Sequence, residues 1–167
     1  MTENILGKLF EHNNWANIRM IQTCSALRDE QLDGKPISTT YGSIRDTLIH
    51  MVSSQRGYLA LLTLPVEERP NAPVAFAELE KVASLAGEGL LALARDELKK
   101  PLKTQLRTMD GYFVEPWVVM LQVINHATEH REQINNMLTT QGLESLNLDG
   151  WNYGEVTNAL IPISTGQ

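Results

Sequence analysis

The sequence predicts an all-α protein, an up-and-down four-helix bundle with a short β-hairpin inserted before the fourth helix. The first observation is that apolar side chains recur at steps of three to five residues in four segments, which is the spacing of one helix face. The second is that stretches containing proline or glycine separate these segments. The third is the Asp110-Gly111 pair between two short runs, which is typical of a hairpin turn.

The length and charge of the chain indicate how many domains it has and which kinds of partner it lacks. Its 167 residues predict a single domain over 1–167, with 143–167 as a C-terminal tail of at most short structure. Twenty acidic against 14 basic side chains give a net charge of −6 without a basic cluster, which argues against a nucleic-acid partner. There is no apolar run of the ~20 residues that a membrane span needs, and the start does not resemble a signal peptide. We therefore expect a cytoplasmic protein without a membrane partner.

The first two helices are bounded by clear signals. Apolar periodicity predicts the first helix over about residues 3 to 26, followed by a connection over 28–42 that is interrupted by glycine and proline. Ser43 and Asp46 fit a capping box and predict the start of the second helix. Pro65 ends that helix, because proline cannot continue it.

The third helix follows a rigid connection. Three prolines stiffen residues 65–73, and periodicity predicts a helix from about 75 to 98 that Pro101 stops. Gly87 and Gly89 each weaken this helix by about 1 kcal/mol relative to alanine. We therefore expect both glycines to have a packing role.

The hairpin and the fourth helix complete the plan. Apolar and polar residues alternate over 102–115, which predicts two short strands around the Asp110-Gly111 turn. Pro116 suits the first turn of a helix, and we predict the fourth helix over about 116–140. Gly142 then fits a C-terminal stop.

Two of the four histidines, His126 and His130, are four residues apart in the predicted fourth helix. This spacing places the side chains ~6 Å apart on one helix face. Two imidazoles in this arrangement can bind one divalent metal, as the paired histidines of H-E-x-x-H do. Surface pairs and polar core contacts have the same spacing, so the pair alone leaves all three alternatives open.

His50 is the candidate third ligand. A bundle can bring the second helix beside the fourth, and three neutral imidazoles leave a coordination position for water, as in catalytic rather than structural sites. However, Leu48, Val52 and Leu59 cluster on the side of the helix away from His50. Either the helix is covered on two sides, or His50 faces solvent.

The motifs together resemble the DinB/YfiT-like family of metal-binding four-helix bundles, over essentially residues 1–155. The order and spacing of three elements carry the resemblance: an aromatic and W-A-N element, S-I-x-x-x-L-x-H, and H-x-x-x-H-R-x-Q. The closing segment LDGWNYGE and the strand-like insert also look like the family. One departure is Glu132, where the family often has a small residue. The matching residues are Phe10, Trp15-Ala16-Asn17, Ser43 to His50, His126, His130, Arg131 and Gln133.

The resemblance implies a divalent-metal site formed by His50, His126 and His130, usually in a homodimer. The ion in such proteins is often zinc or nickel. Characterised relatives include thiol-dependent S-transferases and a mycothiol-dependent isomerase, so a low-molecular-weight thiol is a possible cosubstrate for a small-molecule substrate.

Four further polar residues could serve this site. Glu129 lies between the two motif histidines and could be a general base or orient a ligand, although a solvated neighbour is the commoner case. Asn125 and Asp46 are similar candidates for orienting a ligand. Arg131 could clamp a carboxylate or phosphate, although an exposed helix arginine is the commoner case.

The remaining notable residues have structural interpretations. His12 is expected to be structural or exposed, and Cys24 to be a small core residue rather than a nucleophile. Tyr153 could reach the mouth of a pocket, which the sequence does not decide. The tryptophans are expected to anchor the core or a dimer interface; they are Trp15, Trp117 and Trp151.

Three hypotheses follow. The first is a metal-dependent enzyme that activates a thiol, as an S-transferase, or water, as a hydrolase, against a small electrophile. The second is a non-catalytic, stress-associated metal-binding homodimer, in which a side chain such as Glu129 or His12 completes the metal shell. The third is a plain helical dimerisation module whose histidines are incidental.

Overall fold

The computed structural model describes residues 4–35, 42–96, 105–161 and 163. Some predicted features lie outside these residues: the start of the first helix at residue 3, part of the 28–42 connection, residues 97–104 and the last residues of the tail. The elements are six helices and two strands, in chain order α1 (Ile5–Ser25), α2 (Asp29–Leu32), α3 (Ile44–Thr63), α4 (Leu79–Ala94), β1 (Leu106–Arg107), β2 (Phe113–Val114), α5 (Pro116–Thr140) and α6 (Gly150–Val156).

The start of α3 and the end of α5 have the structures that the sequence predicted. The Ser43 hydroxyl accepts a hydrogen bond from the Asp46 backbone N–H, and the Asp46 carboxylate accepts one from the Ser43 N–H, both at 3.1 Å. This capping box starts α3. Gly142 has a φ of +72°, and Leu143 N–H donates to the Leu138 carbonyl at 2.9 Å. These features form a Schellman ending of α5, which favours glycine because its φ is positive.

The predicted hairpin is confirmed within the described residues. Leu106 pairs with Val114 and Arg107 with Phe113 in antiparallel register. The predicted turn glycine, Gly111, has a φ of +95°. A short loop that ends in a residue of this conformation is a common hairpin connection.

The helix directions refine the predicted up-and-down plan. One core cluster joins the C-terminal halves of α1 and α5 to the N-terminal halves of α3 and α4, and a second cluster joins the opposite halves. Consequently α1 and α5 run one way, while α3 and α4 run the other. The principal neighbours of α1 are α4 and α5, and the same two helices flank α3. The predicted all-α bundle is confirmed, with directions up, down, down and up.

The connection between α3 and α4 explains why these two helices are parallel. Residues 65–75, which we call the proline-rich strap, run back along α3 towards its start. The Arg56 guanidinium donates to the Ala72 carbonyl, and the Val74 N–H donates to the Ser53 hydroxyl at 2.9 Å. As the strap advances it therefore meets earlier residues of α3. The strap returns the chain to the end of the bundle where α3 began.

The predicted third helix is shorter than its sequence pattern suggested. Residues 76–78 form a 3₁₀ turn, so α4 begins at Leu79 rather than near residue 75. It ends at Ala94 rather than near 98, because Arg95 and Asp96 form a turn and Asp96 has a φ of +58°.

No helix among the described residues is long and apolar enough to cross a bilayer.

The two glycines of α4 have the expected packing role. A Cβ atom at Gly87 would lie 2.7 Å from the Asn14 side chain, and one at Gly89 would lie 2.7 Å from a methyl group of Leu59. A separation of 2.7 Å is shorter than any normal packing distance. The glycines therefore let α1 and α3 approach α4 closely.

Candidate metal centre

Three histidines from two helices converge between α3 and α5. The Nε2 atom of His126 lies 3.0 Å from Nε2 of His50 and 3.1 Å from Nε2 of His130. One ring nitrogen from each residue lies within 4.8 Å of the other two. His130 is buried, and the other two rings are half-buried. The structure therefore brings together the three residues that the sequence singled out.

The position of His50 answers the question that the pattern of α3 left open. Leu48 and Val52 are fully buried in the core, while the His50 ring, on another side of the helix, packs against the rings of His126 and His130. The helix is thus covered on two sides. The His50 ring is half-buried and does not point into bulk solvent.

Gln133 fixes the orientation of the His130 ring. Its side-chain oxygen lies 2.8 Å from Nδ1 of His130. Because this oxygen can only accept, Nδ1 carries the proton and donates it, so Nε2 of the neutral ring keeps its lone pair. That lone pair lies on the side of the other two histidines. This is the tautomer that a metal ligand needs.

Electrostatics favour neutral rings in the cluster. Burial, together with the nearby rings of His130 and His50, lowers the pKa of His126 to about 4. Burial and the charge of His130 also lower the pKa of His50 below its ordinary value. Both rings are therefore neutral at pH 7, and neutral imidazole is the form that binds a metal ion.

The donor set fits a divalent transition metal. Three imidazole nitrogens suit zinc, nickel, copper or iron better than calcium or magnesium, which prefer oxygen. Within the part of the chain that the structure describes, the cluster contains no fourth histidine, cysteine or carboxylate. A centre with three protein ligands leaves a coordination position for a small molecule.

Comparison with known proteins identifies the family of this chain. The sequence model of the DinB family matches residues 1–163. The chain belongs to the DinB family. Protein DinB of Bacillus subtilis (strain 168) is 26% identical over 154 residues, which cover 85% of this chain and 89% of that protein. A crystal structure of a candidate DinB-family member from Exiguobacterium sibiricum 255-15 superposes with a TM-score of 0.66 at 18% identity, covering 89% of this chain and 99% of the other.

The carboxylates and the amide predicted near the centre of this DinB-family chain are exposed, unlike the three histidines. Glu129 and Asn125 are exposed on α5. Asp46 is also exposed, and its carboxylate caps α3 through Ser43. The role of Glu129 as a base stays a prediction.

Arg131 corrects the expectation of an exposed helix arginine. Its side chain is buried, with 3% of the residue accessible. The guanidinium donates to the side-chain oxygens of Asn13 at 2.9 Å and Asn17 at 2.6 Å. Asn17 in turn donates to Gln55 at 3.2 Å, and Gln55 donates to the Ala83 carbonyl on α4 at 3.4 Å. A buried polar chain thus joins all four long helices. The sequence signal for it was weak, because the partners lie on other helices.

Residues around α1 have structural roles. Nε2 of His12 lies 2.8 Å from the Leu148 carbonyl oxygen, and its ring packs against the rings of Trp15 and Tyr153. His12 is therefore structural, and the Tyr153 hydroxyl donates to Glu11 at 3.4 Å rather than reaching the histidine cluster. Cys24 is fully buried in the core, as predicted.

Two tryptophans are not core residues. Trp117 is 62% exposed and Trp151 is 74% exposed, so the expectation of a core position is wrong for both. The alternative expectation, a dimer interface, stays a prediction for them.

Tyr58 and Gln133 are contacts of the cluster that the sequence did not single out for a role. The Tyr58 ring meets the His126 ring edge-on, with centroids 5.6 Å apart. Gln133 follows His130 by three residues, which is a helical contact distance. That spacing could have identified Gln133 in advance. Tyr58 could not be identified, because its partner is on another helix.

Proposed function

We propose that this DinB-family chain is a divalent-metal-dependent enzyme that activates a low-molecular-weight thiol, as an S-transferase, or water, as a hydrolase, against a small electrophilic substrate. The observation that carries the proposal is the convergence of the Nε2 atoms of His50, His126 and His130 at 3.0 and 3.1 Å. Neutral rings and the absence of a fourth ligand in the described cluster support it further.

A zinc or nickel ion at this centre would lower the pKa of a bound thiol or water and so supply the nucleophile near pH 7. The protein's own contribution is orientation. Gln133 holds the His130 ring in one tautomer, and burial lowers the pKa of His50 and His126, which keeps these two rings uncharged. We also propose Glu129, which is exposed on α5, as the general base of this reaction.

A second candidate function is a non-catalytic metal-binding homodimer associated with stress. The burial of His130 favours it, because an ion bound by a buried side chain that joins α5 to α3 would stabilise the fold. In either case we propose a homodimer, and exposed apolar residues at the start of α5, Trp117 and Leu121, support this oligomeric state. Sedimentation of Leu121→Asp beside the wild type tests it, and an unchanged mass would contradict this interface.

Metal analysis with each ligand removed tests the proposed centre. We expect the purified wild type to hold about one zinc or nickel ion per chain, and each of His50→Ala, His126→Ala and His130→Ala to lose it. His12→Ala is the matched control, because His12 is not part of the cluster and its Nε2 atom lies beside the Leu148 carbonyl oxygen instead. Metal retention by all three variants would contradict the site.

Turnover separates the two candidate functions. The wild type is assayed with a panel of low-molecular-weight thiols and electrophiles, and with hydrolysable esters and amides. The enzyme proposal predicts metal-dependent turnover that is lost in His126→Ala. Turnover that survives His126→Ala undiminished would defeat it. A metal-bound protein without turnover, whose unfolding midpoint falls on chelation, would favour the structural role.

A further inference from the structure

A cleft of about 290 Å³ lies beside His50, on the strap side of α3. Residues of α3 form one wall, and residues 70–73 of the proline-rich strap form the other. A volume of this size is at the lower end of small-molecule sites. His50 is thus shared between the histidine cluster and a cavity that could hold a substrate.

Arg56 is the basic residue of this cleft. Its guanidinium donates to the Ala72 carbonyl of the strap, and its Nε atom is buried without a hydrogen-bond partner. Among the residues that the structure describes, no carboxylate forms an ion pair with Arg56. A guanidinium carries five donors in a planar fork, which matches a carboxylate. Arg56 therefore has donors and a charge that its protein neighbours do not use.

Two other polar residues of the cleft, Asp46 and Ser53, already form hydrogen bonds within the protein. The Asp46 carboxylate accepts from the backbone N–H and the hydroxyl of Ser43. The Ser53 hydroxyl accepts from the Val74 N–H. Among the residues that line the cleft, Arg56 is the one with a permanent positive charge, while the Asp46 carboxylate is engaged in the cap of α3. Arg56 follows His50 by six residues, which is about 9 Å along a helix.

We propose that this cleft is a substrate subsite of the histidine centre, in which Arg56 binds the carboxylate of a small substrate or cosubstrate. The reacting end of that molecule lies at His50. This inference rests on the proposed function and adds a substrate class to it: small molecules that carry a carboxylate. The hydrogen bond from Arg56 to the Ala72 carbonyl of the strap holds the guanidinium in place for this contact.

The test uses cobalt-substituted protein, in which a thiolate bound to the ion gives a charge-transfer band. Mercaptoalkanoates of increasing chain length, starting from mercaptoacetate, are titrated beside the mercaptoalcohols of the same length. We expect the wild type to bind the best carboxylate thiol roughly tenfold or more tightly than its alcohol counterpart, since a charge-assisted bidentate contact is worth at least this much. Arg56→Gln should lose this preference, although its amide can still donate to the strap carbonyl.

An arginine of the strap, Arg69, provides the matched control for Arg56 of α3. Arg69 donates to the carbonyls of Leu64 at 3.2 Å and Arg107 at 2.6 Å, and it does not line the cleft. Arg69→Gln should keep the preference, while Arg56→Lys should keep part of it. A change in Arg69→Gln as large as that in Arg56→Gln would overturn the proposal, because it would indicate a general effect of the strap.

The outcomes also separate this inference from the proposed function. If the protein takes up no cobalt, the proposed function fails and the subsite fails with it. If cobalt binds but carboxylate and alcohol thiols bind equally, or neither binds, the subsite alone is overturned. A preference that persists in Arg56→Gln also overturns it.

Discussion

The Nε2 atoms of His50 and His126 lie 3.0 Å apart although the residues are separated by 76 positions in the chain. Their contact depends on α3 and α5 packing side by side in opposite directions. From the sequence, His50 could be assigned to a helix but not to a partner, whereas His126 and His130 could be assigned to one face of the same helix. The contact joins His50 to that pair. The candidate centre exists because of this contact.

Replacing Gln133 should weaken metal binding without abolishing it. Gln133→Leu removes the acceptor that fixes the His130 tautomer, and the loss of such a partner typically costs 10–100-fold in metal affinity. Competition with a chromophoric chelator measures the change. Gln122→Leu, an exposed position on the same helix, is the control. Equal affinities in the two variants would mean that Gln133 does not orient the ligand.

Replacing Arg131 should destabilise the whole bundle. Arg131→Met leaves the buried side-chain oxygens of Asn13 and Asn17 without their donor, and we expect a loss of about 3 kcal/mol in the free energy of unfolding. Urea denaturation measures it. Arg19→Met, on the exposed side of α1, should change stability by less than about 0.5 kcal/mol. A variant as stable as the wild type would show that the polar chain contributes no net stability.

Two glycine-to-alanine changes should have opposite effects on the stability of the fold. Gly87→Ala places a Cβ atom 2.7 Å from Asn14, so α1 and α4 must separate or Asn14 must move, and stability should fall. Gly57→Ala, in α3, meets nothing within 4 Å, so the better helix propensity of alanine should raise stability by up to about 1 kcal/mol. Thermal unfolding of both variants decides the matter. Stabilisation by Gly87→Ala would contradict the close approach of α1 to α4.

Cys24 should be inert in the folded protein. Burial raises the pKa of its thiol to about 12, so at pH 8 only about one thiol in ten thousand is the reactive thiolate, and the side chain is also inaccessible. Iodoacetamide at pH 8, followed by mass spectrometry, should leave the native chain unmodified and label it fully in guanidinium chloride. Ser25→Cys adds an exposed thiol next to it as a positive control. Rapid labelling of Cys24 in the native wild type would show that this part of the core opens.

Elements that depend on neighbouring residues could be predicted closely. The fourth long helix spans Pro116–Thr140, as its periodicity, its first-turn proline and Gly142 indicated. The Ser43 capping box and the hairpin glycine also occur where the local pattern placed them. In each case the deciding interaction joins residues only a few positions apart. Where two local tendencies competed, as at residues 75–78, the boundary moved by a few residues.

The burial of Arg131 shows where such prediction ends. Its hydrogen-bond partners Asn13 and Asn17 precede it by 118 and 114 residues. A lone helix arginine is ordinarily solvated, and no local pattern distinguishes one that meets two amides from another helix. The same holds for Arg56 and the strap.

The amino-acid sequence by itself determined the helices, their caps, the hairpin and the His126–His130 pair, since each follows from side-chain spacing along one segment. Only the tertiary structure decided that α3 and α4 run the same way, that His50 completes the cluster and that Arg131 is enclosed. These outcomes depend on which helix faces meet. That choice is made by the packing of the whole core, to which residues distant in the chain contribute together.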